Sequence, residues 1–185
     1  MTQTMALNAI GTQREQFALL LEKHRNIVFK VASTYAHLAD ERADLAQEIS
    51  AQLWCAFPRY DRNRSFSTWM YRIALNVAIS HLRSATHRDA HTLALDESAH
   101  EAAMVGAIAE PDERVRELHR FISRLDALNR ALLLLVLEER SYREIAEILG
   151  LSETNVATKI SRLKQSIRSE HAVREQSAKG NDHAI

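Results

Sequence analysis

The chain has 185 residues, enough for one domain or two small ones, and its 46% hydrophobic and 26% charged content is that of an ordinary globular protein. Lys+Arg and Asp+Glu both number 24, a formal net charge of zero, which excludes a uniformly basic nucleic-acid binder but not a locally basic one. With 4 Gly, 2 Pro and one cysteine, the composition argues against a fold of β-turns and excludes an internal disulfide framework or a multi-cysteine metal site.

The expected fold is all-α, in two small helical domains. Met1 to Leu7 lacks the basic-then-apolar layout of a signal peptide. From Gln13, a stripe of Phe17, Leu20, Leu21, His24, Ile27, Val28, Val31 and Tyr35 predicts an amphipathic helix. Asp40 is a candidate N-cap for a second helix, with Leu45, Ile49, Leu53 and Phe57 at four-residue steps and Pro58 ending it. A polar, basic loop, Arg59 to Ser65, leads to a third helix capped by Ser65 or Ser67 and running to about Ser84. Trp69, Ile73 and Val77 form one apolar line on it, and Tyr71, Leu75, Ile79 and Leu82 another. Residues 12–84 therefore read as the first domain.

Residues 85–112 read as an acidic linker: one basic residue, Arg88, stands against six acidic ones, for a net charge of −5. Residues 113–169 read as the second domain. Val115, Leu118, Ile122 and Leu125 mark its first helix, and Leu128 with the run Leu132 to Leu137 its second. The apolar run Ala131 to Leu137 is the longest in the chain, far short of the roughly 20 residues that span a bilayer, so no membrane insertion is expected. Tyr142, Ile145, Ile148 and Leu149 mark a third helix with a Ser141/Glu144 capping box, ended by Gly150. Ser152 caps a last helix carrying Val156, Ile160, Leu163 and Ile167. Residues 170–185 read as a disordered tail.

Two constellations point to nucleic acid. Ser141 to Arg168 has the layout of a helix-turn-helix: Ala146 lets two helices approach, Gly150 suits the turn, and Val156 and Ile160 pin the second helix to the first. Ser152, Thr154, Asn155, Thr158, Lys159, Arg162 and Lys164 are its candidate duplex contacts, within a segment 151–168 of net charge +3. An ordinary helical hairpin with a solvated basic face is the alternative. In Arg59 to Arg83, five arginines stand against Asp61 alone, with Tyr60, Phe66, Trp69 and Tyr71 interleaved. Arginines among aromatics suit single-stranded nucleic acid, although Phe66 and Trp69 equally fit a core.

These residues carry a resemblance. Phe66-Ser67-Thr68-Trp69-Met70-Tyr71-Arg72-Ile73-Ala74-Leu75-Asn76 resembles the region-two signature of extracytoplasmic-function (ECF) sigma factors. Asp44-Leu45-Ala46-Gln47-Glu48, leading to Leu53-Trp54, resembles the segment just upstream in that family, and Ser141 to Gly150 with Ser152-Glu153 and Val156 resembles its region-four helix-turn-helix. The resemblance implies a cytoplasmic transcription initiation subunit that is not an enzyme and needs no cofactor or metal. It implies that Asp44, Gln47, Glu48 and Gln52 dock on core RNA polymerase, whose β′ and β subunits are the expected partners. Tyr60, Arg62, Asn63, Arg64, Ser65, Thr68, Arg72 and Asn76 would melt and read the minus-ten element of promoter DNA. The helix from Ser152 would read the minus-thirty-five element, and an anti-sigma factor would hold the protein inactive.

The chain departs from the family pattern at Met70 (usually Leu), at Thr154-Asn155 (often Gly-Thr), at Ala157 (commonly Lys) and at Arg140, where Gly is frequent and the turn is expected to differ. Other signals are weak. Cys55, between Trp54 and Phe57, reads as a buried hydrophobe in a reducing cytosol. His87 and His91, with His100 near, read as solvated linker residues, and Ser161-Arg162-Leu163-Lys164 spells an acyl-enzyme S-x-x-K with no partner motif. Two other readings remain open: a stand-alone helix-turn-helix regulator with an N-terminal dimerising or sensing domain, and an enzyme built on that serine.

Overall fold

The computed structural model describes residues 2–36, 38–92 and 121–181. Among them there is no strand, and no helix is long and apolar enough to cross a membrane. The chain divides into two compact units, Met1–Arg130 and Ala131–Ile185.

In the first unit, α1 (Thr2–Tyr35), α2 (Ala39–Ala56) and α3 (Phe66–Thr92) pack pairwise, each against the other two. Their seams follow the apolar spacing. Phe17, Ile27, Val28, Val31 and Tyr35 of α1 are buried, as are Leu45, Ile49 and Leu53 of α2. On α3 the buried stripe is Met70, Tyr71, Ala74, Leu75 and Ala78. Its small alanines let the neighbouring helices close in, while Trp69, Ile73 and Val77 lie half-buried at its edge.

The helix ends differ from the sequence reading in three places. Leu38, not Asp40, precedes the first turn of α2; its side chain cannot accept a hydrogen bond, and its backbone N–H reaches Glu41 Oε2 at 3.5 Å. Asp40 and Glu41 instead lie inside that turn, where negative charge opposes the helix dipole. α1 begins well before Gln13, and α3 continues through 85–92, because neither stretch holds a proline to stop an established helix. The remainder of the expected linker, 93–112, lies outside the described residues.

Between α2 and α3, Pro58 sits in a 3-10 turn, Phe57–Arg59. Ser65 caps α3, its Oγ accepting from the Thr68 N–H at 3.5 Å.

Helix α4 (Ala127–Leu137) is capped by Asp126, which accepts from the backbone N–H of Asn129 at 2.8 Å. Buried Arg130 donates to the carbonyls of Leu125 (2.9 Å) and Ser123 (2.6 Å), closing the end of the helical turn 121–124. Burial is the main cause lowering its pKa.

In the second unit, α5 (Tyr142–Leu149) and α6 (Glu153–Asn181) form a helical hairpin. Ile145, Ala146 and Ile148 are buried, as are Val156, Ile160 and Leu163. Tyr142, expected on the apolar line, is 42% exposed; it lies three residues before Ile145, on the flank of a short helix. Gly150, at φ 67°, takes the left-handed turn, and its N–H and that of Leu151 both return to the Ala146 carbonyl. Before α5 the left-handed residue is Glu139, at φ 55°, not Arg140. A glycine would relieve the backbone at 139, so the expected departure falls one position earlier.

Beyond 169 a disordered tail was expected, yet 170–181 continue α6 as helix. Ala172, Val173, Arg174, Glu175, Gln176 and Ala178 include good helix formers, which extend an existing helix at little cost. Residues 182–185 lie outside the described set.

The α5 cap is reciprocal. Ser141 Oγ accepts from the Glu144 N–H at 3.3 Å, and Glu144 Oε2 accepts from the Ser141 N–H at 2.9 Å. The Ser141 hydroxyl, then its backbone N–H, hold the Glu144 carboxyl below its ordinary value. A depressed carboxyl stabilises the folded chain above its unfolded pKa, and that contribution is lost as pH falls through the folded value. Ser141→Ala should cost about 1 kcal/mol, read as faster amide exchange in 142–149. Glu144→Gln should flatten the acid dependence of that exchange below the ordinary carboxylate pKa.

Candidate nucleic-acid interface

The loop between α2 and α3 stands on an aromatic cluster. Phe57 packs against Phe17 (ring centroids 5.1 Å), Tyr60 (6.1 Å), Phe66 (6.4 Å) and Trp69 (6.3 Å). Tyr60 lies 5.0 Å from Trp69 and 5.3 Å, edge-on, from Phe66. Phe66 and Trp69 are thus built into the packing, which favours the core reading for them.

From this base the loop folds on itself. The Tyr60 hydroxyl donates to the Arg64 carbonyl at 2.6 Å, the Asn63 N–H donates to Asp61 Oδ1 at 2.9 Å, and Arg64 Nε lies 3.8 Å from Asp61 Oδ2. Burial chiefly, with Asp61 beside it, raises the Tyr60 pKa, and Arg62 opposes this. Arg62 Nη2 donates across to Gln16 Oε1 on α1 at 2.7 Å. An open groove of about 450 Å³ runs there, lined by Thr12, Gln13, Gln16, Phe57, Pro58, Tyr60 and Arg62. No sequence motif marked Gln16; its tie to the loop spans 46 positions and has no local signature.

Arg62, Asn63, Arg64, Ser65, Arg72 and Asn76 are exposed, and Tyr60 is half-buried. Thr68 is not available: it is 5% exposed. A helix turns about 100° per residue, so the four-residue line Thr68, Arg72, Asn76 drifts from the buried sector of α3 onto its open face.

On α2, Asp44, Gln47, Glu48 and Gln52 are all exposed. Glu48 has an intramolecular neighbour that the sequence did not reveal, His81 Nδ1 of α3, 3.7 Å from its Oε2. Beside this face Trp54 is 38% exposed. Cys55 is exposed rather than buried, because Leu53 and Phe57 occupy the core line of this helix.

On α6, Ser152 Oγ accepts from the Asn155 N–H at 3.2 Å, so this hydroxyl caps the helix. Thr154, Asn155, Thr158 and Arg162 are exposed and cluster opposite the buried line of Val156, Ile160 and Leu163. The Thr158 hydroxyl donates to the Thr154 carbonyl at 2.9 Å. Lys159 is half-buried at the edge of this face. Lys164 departs from the expected grouping: nine residues after Asn155, it is about half a turn around the helix, facing away.

The comparisons with known proteins match two successive segments of the chain. Residues 20–88 match the model of Sigma-70 region 2, and residues 115–167 that of Sigma-70 region 4. The chain belongs to the sigma-70 family, as an extracytoplasmic-function sigma factor. Such a protein directs promoter-specific transcription initiation by RNA polymerase. Among curated relatives, it is 25% identical to the ECF RNA polymerase sigma factor SigW of Bacillus subtilis over 165 residues, covering 84% of this chain and 88% of that one. It is 27% identical to the RNA polymerase sigma-H factor of Pseudomonas aeruginosa over 164 residues, covering 83% and 85%. Two solved structures share the fold. CnrH, in complex with the cytosolic domain of CnrY, superposes with TM-score 0.63 at 21% identity, over 92% of this chain and 96% of that one. The sigma factor RpoE, in complex with the anti-sigma factor NepR from Bartonella quintana, gives TM-score 0.58 at 18% identity, over 84% and 94%.

The Tyr60 hydroxyl is the loop's internal clasp. Tyr60→Phe keeps the ring in its cluster and removes the bond to Arg64. It should cost about 1 kcal/mol in urea denaturation and increase protease nicking within 60–65; unchanged nicking would show that the loop holds without the clasp.

Proposed function

We propose that this sigma factor divides promoter recognition between two surfaces. The loop 60–65 with Arg72 and Asn76 takes the melted minus-ten strand, and the outer face of α6 enters the minus-thirty-five duplex. The observation that carries this reading is the contrast between the surfaces. The first sets arginines and an asparagine on an aromatic base beside an open groove, which suits unpaired bases and their backbone. The second is a capped helix with exposed Thr154, Asn155 and Thr158 near its N-terminus and Arg162 one turn on, which suits base edges followed by phosphate. The exposed polar face of α2, with Asp44, Gln47, Glu48 and Gln52, docks on core polymerase through its β′ subunit. The protein is no enzyme and acts in the cytoplasm beside polymerase. An anti-sigma factor restrains it, a reading supported by the complex of RpoE with the anti-sigma factor NepR.

Variants of the assembled holoenzyme test these roles. Asn63→Ala with Arg64→Ala should leave core-polymerase affinity intact and reduce permanganate reactivity of promoter thymines. Normal reactivity would refute the loop assignment.

Along α6 the roles should separate. Arg162→Ala should weaken all promoters alike and lower the salt slope by about one unit. Asn155→Ala should relax one or two base preferences, each worth roughly 1–3 kcal/mol, with the slope unchanged. Lys164→Ala should change neither. A slope that falls for Lys164 and not for Arg162 would mean that the opposite face meets DNA.

A further inference from the structure

We propose that Gln16 of α1 is a positioning residue for promoter opening, acting through Arg62. The inference rests on the reading of loop 60–65 as the minus-ten surface. The loop's Tyr60–Arg64 and Asp61–Asn63 hydrogen bonds are local and shape its backbone. They leave the long Arg62 side chain unrestrained, and an arginine loses much rotamer freedom when fixed. Its Nη2 is held by Gln16 Oε1 at 2.7 Å.

Gln16 is well placed to act as a fixed post. The next residue, Phe17, is 7% exposed and packs on Trp54 and Phe57 at 5.2 and 5.1 Å between ring centroids, which locks that turn of α1. Gln16 itself is half-buried and lines the groove with Arg62. A neutral amide oxygen orients the guanidinium without cancelling its charge, as a carboxylate would. One N–H is used, and the others remain for a phosphate or a base edge. Fixing the arginine in advance removes part of the ordering cost from strand capture.

The test uses holoenzyme assembled with core polymerase. Gln16→Met keeps the length and helix propensity and removes the acceptor; Gln16→Ala is the second variant. Either should slow open-complex formation about three- to tenfold at unchanged core affinity. The change should add nothing in an Arg62→Ala background. In the free full-length chain, the Arg62 side-chain NMR order parameter should fall in both Gln16 variants. Wild-type opening in these variants, while Asn63→Ala/Arg64→Ala is slow, would overturn the role of Gln16 and leave the loop reading standing. Wild-type opening in all of them would overturn both. Slowing that multiplies with Arg62→Ala, or an unchanged Arg62 order parameter, would mean that Gln16 acts by some other route, and would overturn the proposal.

Discussion

Phe57 is the hinge pin of the first unit. It closes the core line of α2, and within one ring's reach it meets α1 at Phe17, the loop at Tyr60 and α3 at Phe66 and Trp69. Aromatic pairs contribute about 0.5–1.5 kcal/mol each beyond the area they bury, so the cluster adds rigidity to a loop whose backbone makes only local bonds, Tyr60 N–H to the Phe57 carbonyl and Arg64 N–H to the Asp61 carbonyl, each at 3.0 Å. A six-residue polar loop would otherwise sample many shapes. Set on these rings and clasped by Tyr60, it presents Arg62, Asn63 and Arg64 outward from a fixed base. Pro58 contributes by ending α2 beside Phe57, which turns the chain over the cluster.

The second unit reaches the same end by different means. It has few aromatics, and its hairpin is set by caps and one glycine. Ser141 with Glu144 fixes where α5 starts, Gly150 fixes how it stops, and Ser152 fixes where α6 starts. Once those three points are set, Val156, Ile160 and Leu163 face inward, and Thr154, Asn155, Thr158 and Arg162 face out. Local hydrogen bonds thereby decide which side chains are offered to a partner.

What was legible in the sequence was whatever repeats with a helix. The four-residue steps of Leu45, Ile49, Leu53 and Phe57 gave the buried line of α2, and the Ser141/Glu144 spacing gave the cap of α5. Spacing misleads where a single line is extended across a whole helix. Thr68 shares a four-residue line with Arg72 and Asn76, but that line drifts about 40° per step and begins inside the core. Lys164 belongs to the basic segment by composition and to another face by geometry. Cys55 has apolar neighbours in sequence and an exposed place on the helix. The Arg62–Gln16 and Glu48–His81 contacts were not legible, because each joins two elements whose relative placement no local pattern encodes.

On this reading the loop of the first unit meets the melted strand and the outer face of α6 meets the upstream duplex. Photo-crosslinking residues placed singly at positions 63 and 158 of the full chain test it in one experiment, in holoenzyme bound to a promoter. Position 63 should crosslink to bases of the minus-ten element, dependent on strand opening. Position 158 should crosslink to the minus-thirty-five element in closed and open complexes alike. Crosslinks from position 63 to polymerase alone, or from position 158 to the minus-ten element, would overturn this division of roles.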